Sequence, residues 1–208
     1  MLYLLVAIGA YLIGSFPSGY LIGRARGVDL RMEGSGNIGA TNALRVLGKK
    51  WGYLCFVLDI GKGALAVCLA KLAAAPALGI DPTSAAILAA CCVLVGHTFP
   101  VWLGFKGGKG IATSGGIAIA LFPPLVFWIS IAMWMAVFFA TRIVSIASLA
   151  ATTTLAATLV VLWMRHQTDA ALAIVGVTMA VLVAWLHRAN ISRLAKGTEP
   201  RFEKKRKS

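Results

Sequence analysis

Two short stretches rich in glycine, hydroxyls, amides and cations interrupt an otherwise apolar chain. They are Gly34-Ser35-Gly36-Asn37-Ile38-Gly39-Ala40-Thr41-Asn42 and Phe105-Lys106-Gly107-Gly108-Lys109-Gly110. Glycine admits a positive φ, which turns backbone N–H groups toward an anion, and Lys or Arg supplies the countercharge. In the first stretch Ser35, Asn37, Thr41 and Asn42 place small hydrogen-bonding groups between Gly34, Gly36 and Gly39, and Arg45 follows. The run from Ala40 to Leu47 has helical character, so its N-terminus points back at the loop, an arrangement suited to phosphate. Read instead as a plain turn, Gly-Ser-Gly-Asn needs no ligand, but that reading leaves Arg45 without a role.

The second stretch follows Gly96-His97-Thr98-Phe99-Pro100 and opens an apolar segment at Ile111. Lys109 and the amides of Gly107, Gly108 and Gly110 therefore sit at a helix N-terminus, a ready anion site. It is not a Walker A loop, because the spacing from Gly104 is one residue short and Gly110 stands where Ser or Thr belongs. Simple anchoring by snorkelling is the alternative for Lys106 and Lys109. A third group, His187-Arg188-Ala189-Asn190, ends the last apolar segment, with His187 and Asn190 on one helical face at i and i+3. Here a headgroup contact competes with a catalytic role. Ser145 and Ser148 add hydroxyls after Thr141-Arg142-Ile143-Val144, and Ser148 alone reads as a helix-packing serine.

Absences narrow the chemistry. Five residues after His97 comes Trp102, and five after His187 comes Ser192, so neither histidine opens an HxxxxD dyad. The seven acidic residues, Asp29, Glu33, Asp59, Asp81, Asp169, Glu199 and Glu203, are scattered rather than clustered as metal-bound phosphotransfer needs. Cys55, Cys68, Cys91 and Cys92 form no CxxC pair and read as small buried hydrophobes. No metal and no cofactor is implied. Such a site works by gathering anions and stabilising charge.

The elements that position these groups are membrane helices. Hydrophobic residues make up 59% of the 208 and charged ones only 13%, against about 25% in ordinary globular chains. Apolar segments fall near Leu2–Ile22, Gly52–Leu72, Ser84–Leu103, Ile111–Phe122, Leu125–Ala140, Ile146–Trp163 and Ala170–Leu186. The expected fold is all-α: one polytopic membrane domain of about seven transmembrane helices over residues 1–208, with a short basic tail from about 195. Ile111–Phe122 is short, and Pro123-Pro124 suggests half of a broken helix. Lys71 to Leu78 reads as a helix end and an outer loop.

With the N-terminus outside, every Lys and Arg except Lys62, Lys71 and Arg165 falls on the inner side. This satisfies the positive-inside rule and explains the net charge of +13 without nucleic acid. The basic start of a cleavable signal is missing, since Arg24 and Arg26 follow the first apolar stretch. Tyr3, Trp51, Trp102, Trp163 and Trp185 sit near segment ends, as interfacial aromatics do. The tail Lys204-Lys205-Arg206-Lys207 reads as a contact for anionic lipid.

On GSGNIGATN with its following Arg45, GHTFPVWLGFKGGKGIATSGG and HRANISRLAKGTEPRF, the chain resembles the bacterial acyl-phosphate:glycerol-3-phosphate acyltransferases, the PlsY family. The likeness extends through GSFPSGYLIGR and TRIVSIASL; Ile38 stands where many members carry Pro or Val. The resemblance implies a seven-helix enzyme of the bacterial plasma membrane with its site on the cytoplasmic face. Its substrates would be acyl phosphate and sn-glycerol 3-phosphate, and its products lysophosphatidic acid and inorganic phosphate. Membrane lipids are its surroundings, with no nucleic acid and no obligate protein partner.

The family's first-motif serine and arginine match Ser35 and Arg45, its second-motif lysine Lys109, and its third-motif His and Asn His187 and Asn190. His97 and Lys106 fall at supporting positions, Ser148 matches the serine after the TRIVS-like turn, and Ser145 is its neighbour. On that basis Arg45, Lys109 and His187 are expected to bind the phosphate of glycerol 3-phosphate, and Ser148 and Asn190 to orient the glycerol. The amides of Gly34–Asn37 and Gly107–Gly110 would hold the acyl phosphate. The general base is either His187, weakened by its cationic neighbours, or the substrate's own phosphate.

The competing function is a transporter of phosphate or a phosphorylated metabolite. Against it, the segments hold few charges at depth beyond Asp59 and Lys62, and at i and i+3 these two read as a structural ion pair.

Overall fold

The computed structural model describes residues 1–202, so the Lys204–Lys207 tail lies outside the described residues. Eleven α-helices run through them: α1 Leu2–Ser15, α2 Ser18–Ala25, α3 Ala40–Leu47, α4 Lys49–Leu69, α5 Ala75–Leu78, α6 Pro82–Thr98, α7 Ile111–Leu121, α8 Pro124–Thr141, α9 Val144–Met164, α10 Ala170–Leu186 and α11 Arg188–Ala195. The chain divides into two compact units, Met1–Pro123 and a second that begins at Pro124.

All seven apolar segments are helical. By length and composition, five stretches among the described residues can cross a bilayer: Leu2–Ala25, Lys49–Leu78, Pro82–Leu103, Pro124–Thr141 and Val144–Met164. A sixth is reached if Ala170–Leu186 and Arg188–Ala195, bent by 58°, count as one. At 1.5 Å per residue α7 spans only about 16 Å, roughly half the hydrocarbon thickness. It stops at Leu121 because Pro123 and Pro124 remove donors and disfavour helix before them.

Two boundaries differ from the sequence reading. The first segment is not continuous: Phe16-Pro17 separates α1 from α2. Lys71–Leu78 is not a loop, since one π-helical turn at Ala70–Ala74 carries the helix into α5, which ends at Gly79 with a left-handed φ of 63°. The next helix starts cleanly because Asp81 accepts from the Ser84 amide at 2.7 Å and Pro82 takes the first position.

In the first unit, α1 packs on α6 and α4 on α7. Small residues permit both contacts: a Cβ at Gly14 or Gly96 would strike the facing backbone at Val93 or Tyr11, and one at Gly63 or Gly116 would strike Thr113 or Ile60. In the second unit α9 packs between α8 and α10, where Leu159 fills the space left by Gly176. Outward faces stay apolar, with Leu4, Val57, Leu65, Trp128, Phe139 and Val181 exposed, as suits lipid. Of the four cysteines only Cys55 is buried; Cys68 and Cys91 are exposed and Cys92 is intermediate, so the buried reading fails for three.

Aromatic side chains carry cations at several helix ends. Arg26 and Lys50 lie 5.0 and 5.2 Å from the Trp51 ring, Arg31 lies 4.8 Å from Tyr20, and Arg188 lies 4.3 Å from Trp185.

Candidate active site

The first glycine loop is built around Asn42, which is buried. Its Oδ1 accepts from the Ser35 amide at 2.9 Å, and its Nδ2 donates to the carbonyls of Leu30 and Glu33 at 3.2 and 3.0 Å. One side chain thus closes the loop from both ends. Gly34 takes φ 60° directly against it, where a Cβ would collide with Asn42 Oδ1. Asn37 accepts from the Gly39 amide at 2.9 Å and shapes the entry to α3. Two of the amides expected at the ligand, Ser35 and Gly36, are therefore engaged within the loop, Gly36 with the Glu33 carbonyl at 3.0 Å. Ser35 and Arg45 are exposed and Thr41 is partly buried. Next to this loop Arg31 grips Asp29 at 2.6 Å, and its hydrogen bonds pull the Asp29 carboxyl down to about 2.

The second loop lies against the end of α6. The Gly107 amide donates to the Thr98 carbonyl at 3.0 Å and the Gly108 amide to the His97 carbonyl at 3.1 Å. These two amides are not available to a ligand, which corrects the expectation of a cradle over Gly107–Gly110. Gly110 turns the chain at φ 79°, and α7 begins at Ile111. The amides of Ile111, Ala112 and Thr113 have no partner inside that helix by its geometry. Lys109 is half-buried at this turn, Lys106 is exposed, and the His97 ring is buried behind the loop.

The first loop borders a small cleft within the first unit through Ile38. It is lined by Ser15, Ser18, Ile38, Asp59, Lys62 and His97, among others. The Asp59–Lys62 pair is present at 2.9 Å.

In the second unit the deciding residue is one that the sequence reading passed over. Glu199 Oε1 accepts from Ser145 Oγ at 2.8 Å and from Asn190 Nδ2 at 2.6 Å, while Oε2 accepts from Arg193 Nε at 2.7 Å. Burial works to raise the Glu199 pKa, but the hydrogen bonds from Asn190, Ser145 and Arg193 win and hold it below its ordinary value. The available signal was an acid in Gly197-Thr198-Glu199-Pro200, one of only two in a basic segment. Beyond it the Phe202 amide donates to the Arg142 carbonyl at 2.9 Å, so the chain after α11 returns to the α8–α9 turn.

His187 sits at the bend between α10 and α11, where its Nδ1 is 2.8 Å from the Val183 carbonyl. A carbonyl only accepts, so Nδ1 carries the proton and Nε2 holds the lone pair of the neutral ring. Ser148 is buried and accepts from Trp134 Nε1 at 3.4 Å, a partner that the sequence did not suggest. The second unit thus brings Ser145 and Asn190 onto one carboxylate, while the first unit holds Ser35, Arg45, Lys109 and His97.

Comparison with known proteins places these motifs. The family model described as glycerol-3-phosphate acyltransferase matches residues 4–197. The chain belongs to that family. Relatives named glycerol-3-phosphate acyltransferase include one from Synechococcus sp. strain CC9902, 46% identical over 206 residues, with 99% of this chain and 97% of that protein covered. Another, from Bacillus velezensis, is 40% identical over 204 residues and covers 98% and 99%. The crystal structure of PlsY, an integral membrane glycerol 3-phosphate acyltransferase, in its glycerol 3-phosphate form superposes with a TM-score of 0.85 at 38% identity, covering 97% of this chain and 96% of that one. Its lysophosphatidic acid form gives 0.82 at 37% identity. The resemblance drawn from the three motifs is therefore confirmed over the full length, as is an all-helical membrane fold.

Proposed function

We propose that this chain transfers a fatty acyl group from acyl phosphate to the 1-hydroxyl of sn-glycerol 3-phosphate, releasing inorganic phosphate and lysophosphatidic acid for phospholipid synthesis. The observation that carries this reading is the full-length likeness to PlsY in its glycerol 3-phosphate and lysophosphatidic acid forms. The donor is an activated mixed anhydride. The hydroxyl oxygen attacks the acyl carbonyl carbon, the bond from that carbon to the phosphate oxygen breaks, and the hydroxyl proton leaves with a phosphate or with His187.

Arg45 and Lys109 are assigned to the phosphate of glycerol 3-phosphate, joined by His187, with Ser148 and Asn190 orienting the glycerol. Ser35 and the amides at the start of α7 are assigned to the acyl phosphate. Holding the hydroxyl about 3–3.5 Å from the carbonyl removes several kcal/mol from the barrier, and N–H donors stabilise the tetrahedral oxyanion. The substrate phosphate is the preferred base, with His187 Nε2 as the alternative. The chain acts as one domain in the bacterial plasma membrane, with about seven membrane helices, the N-terminus outside and the site on the cytoplasmic face. This orientation follows from the basic loops.

The test is reconstitution of the purified protein with palmitoyl phosphate and sn-glycerol 3-phosphate, with palmitoyl-CoA as a parallel donor. Coupled appearance of phosphate and lysophosphatidic acid from palmitoyl phosphate is expected. Folded protein that makes no lysophosphatidic acid from either donor sinks the reading and brings transport assays forward.

A further inference from the structure

Asp59 and Lys62 lie at the middle of α4 with side chains 4% and 7% exposed. A lone charge at such a place is strongly disfavoured, so each must be compensated. Asp59 Oδ1 takes Lys62 Nζ at 2.9 Å and Ser18 Oγ at 3.0 Å, and Lys62 Nζ donates again to the Phe16 carbonyl at 2.8 Å. The Cys55 thiol stands 3.7 Å from Asp59 Oδ2. One carboxylate thus joins α4 to the break between α1 and α2.

A third ionisable group faces the same oxygen. His97 Nδ1 is 3.7 Å from Asp59 Oδ1, beyond hydrogen-bond reach, and this buried nitrogen has no hydrogen-bond partner. The opposite side of the same ring supports the second glycine loop. A Cβ at Gly108 would collide with His97 Nε2, and the Gly107 and Gly108 amides hang on the carbonyls of Thr98 and His97. The imidazole is therefore wedged between a buried carboxylate and the backbone that leads into Lys109. Helix packing alone gives no reason for this arrangement, since an apolar pair of similar volume holds helices together as well as a buried ion pair does.

We propose that Asp59 and Lys62 are positioning residues for the Lys106–Gly110 loop and act through His97. Asp59 attracts the Nδ1 edge of the ring and fixes its rotation. Gly108 rests on the opposite edge, and the height and tilt of the loop then set where Lys109 presents its ammonium. Lys62 pairs with the carboxylate and ties it to the bend at Phe16. His97 serves the loop from behind rather than touching substrate. The kinetic part of the test rests on the acyltransferase reading.

The experiment uses the full chain in detergent or vesicles, with palmitoyl phosphate and glycerol 3-phosphate. Asp59→Asn keeps the shape and removes the charge; the KM for glycerol 3-phosphate is expected to rise about tenfold while kcat stays within about threefold. His97→Gln is expected to raise the same KM. The combined variant should be no worse than the more damaged single one, because the two act along one path. If Asp59→Asn leaves Lys62 buried alone and the protein fails to fold, Asp59→Leu with Lys62→Met removes both charges and should show the same KM rise.

Hydrogen exchange at the Gly107 and Gly108 amides is read in parallel. It should accelerate about tenfold in these variants while the interior of α7 is unchanged. Folded variants with wild-type KM, effects of Asp59 and His97 that multiply, or unaltered exchange at the two glycines would each overturn the proposal. An inactive wild type would count against the acyltransferase reading, and exchange would then decide the positioning role by itself.

Discussion

Asn190 Nδ2 and Ser145 Oγ donate to the same oxygen, Glu199 Oε1, at 2.6 and 2.8 Å, although they belong to different helices. The other oxygen takes Arg193, so a single carboxylate after α11 fixes the start of α9 and the first turns of α11 together. Asn190 is then held in one rotamer before any ligand arrives. Pre-orientation of that kind lowers the entropic cost of binding.

Glu199→Ala should therefore damage stability and turnover together. Losing three hydrogen bonds to a charged acceptor costs about 2–4 kcal/mol, toward the lower end because Arg193 is 38% exposed. Thermal unfolding in detergent should shift down by several degrees, and kcat/KM in the surviving fold should fall at least about tenfold. Unchanged thermal stability would remove Glu199 from the scaffold.

The same carboxylate sets a pH limit. Its pKa is depressed on folding, so its stabilisation is complete above the ordinary value of 4.5 and is lost as pH falls through the lower folded value. Wild-type unfolding temperature should drop on acidification below about 4.5, and Glu199→Gln should flatten that part of the curve. A wild-type curve with no such drop would contradict the assignment.

Gly34→Ala tests the first loop. It forces a side chain into φ 60° and drives Cβ onto Asn42 Oδ1, the acceptor for the Ser35 amide. A cost of about 1–3 kcal/mol is expected locally, with a clear loss of kcat/KM. Gly27→Ala is the control, because Gly27 has φ 73° but open space around its Cβ position, so only backbone strain remains. Equal damage from both would show that the Asn42 contact is unimportant.

His187→Ala separates the two candidate bases. With the substrate phosphate taking the proton, KM for glycerol 3-phosphate should rise and kcat should change little. Loss confined to kcat would instead make His187 the base.

Much of this was legible in the sequence, for identifiable reasons. The helices follow from long apolar runs, and α3 follows from its start after Gly39. Asp59 and Lys62 were placed together by spacing alone. What could not be read were contacts made across distance. Glu199 sits in a basic, loop-like segment with no periodicity, and its three donors are spread from Ser145 to Arg193. The engaged amides of Gly107 and Gly108 escaped notice because a glycine-rich cationic loop looks the same whether its donors face a ligand or the carbonyls of the preceding helix. The break at Pro17 does carry a signal, the Gly14-Ser15-Phe16-Pro17-Ser18-Gly19 interruption, which a reading by hydropathy alone passes over.

That break also bears on the order of assembly. The Phe16 carbonyl accepts from the nearby Ser18 amide and from Lys62, which lies 46 residues further along. Synthesis runs from the N-terminus, so the first segment leaves the ribosome ahead of Lys62, and its bend is completed only when α4 arrives beside it. Until then the early helix is a provisional shape. The ammonium of a later segment acts as a latch that closes on an earlier one.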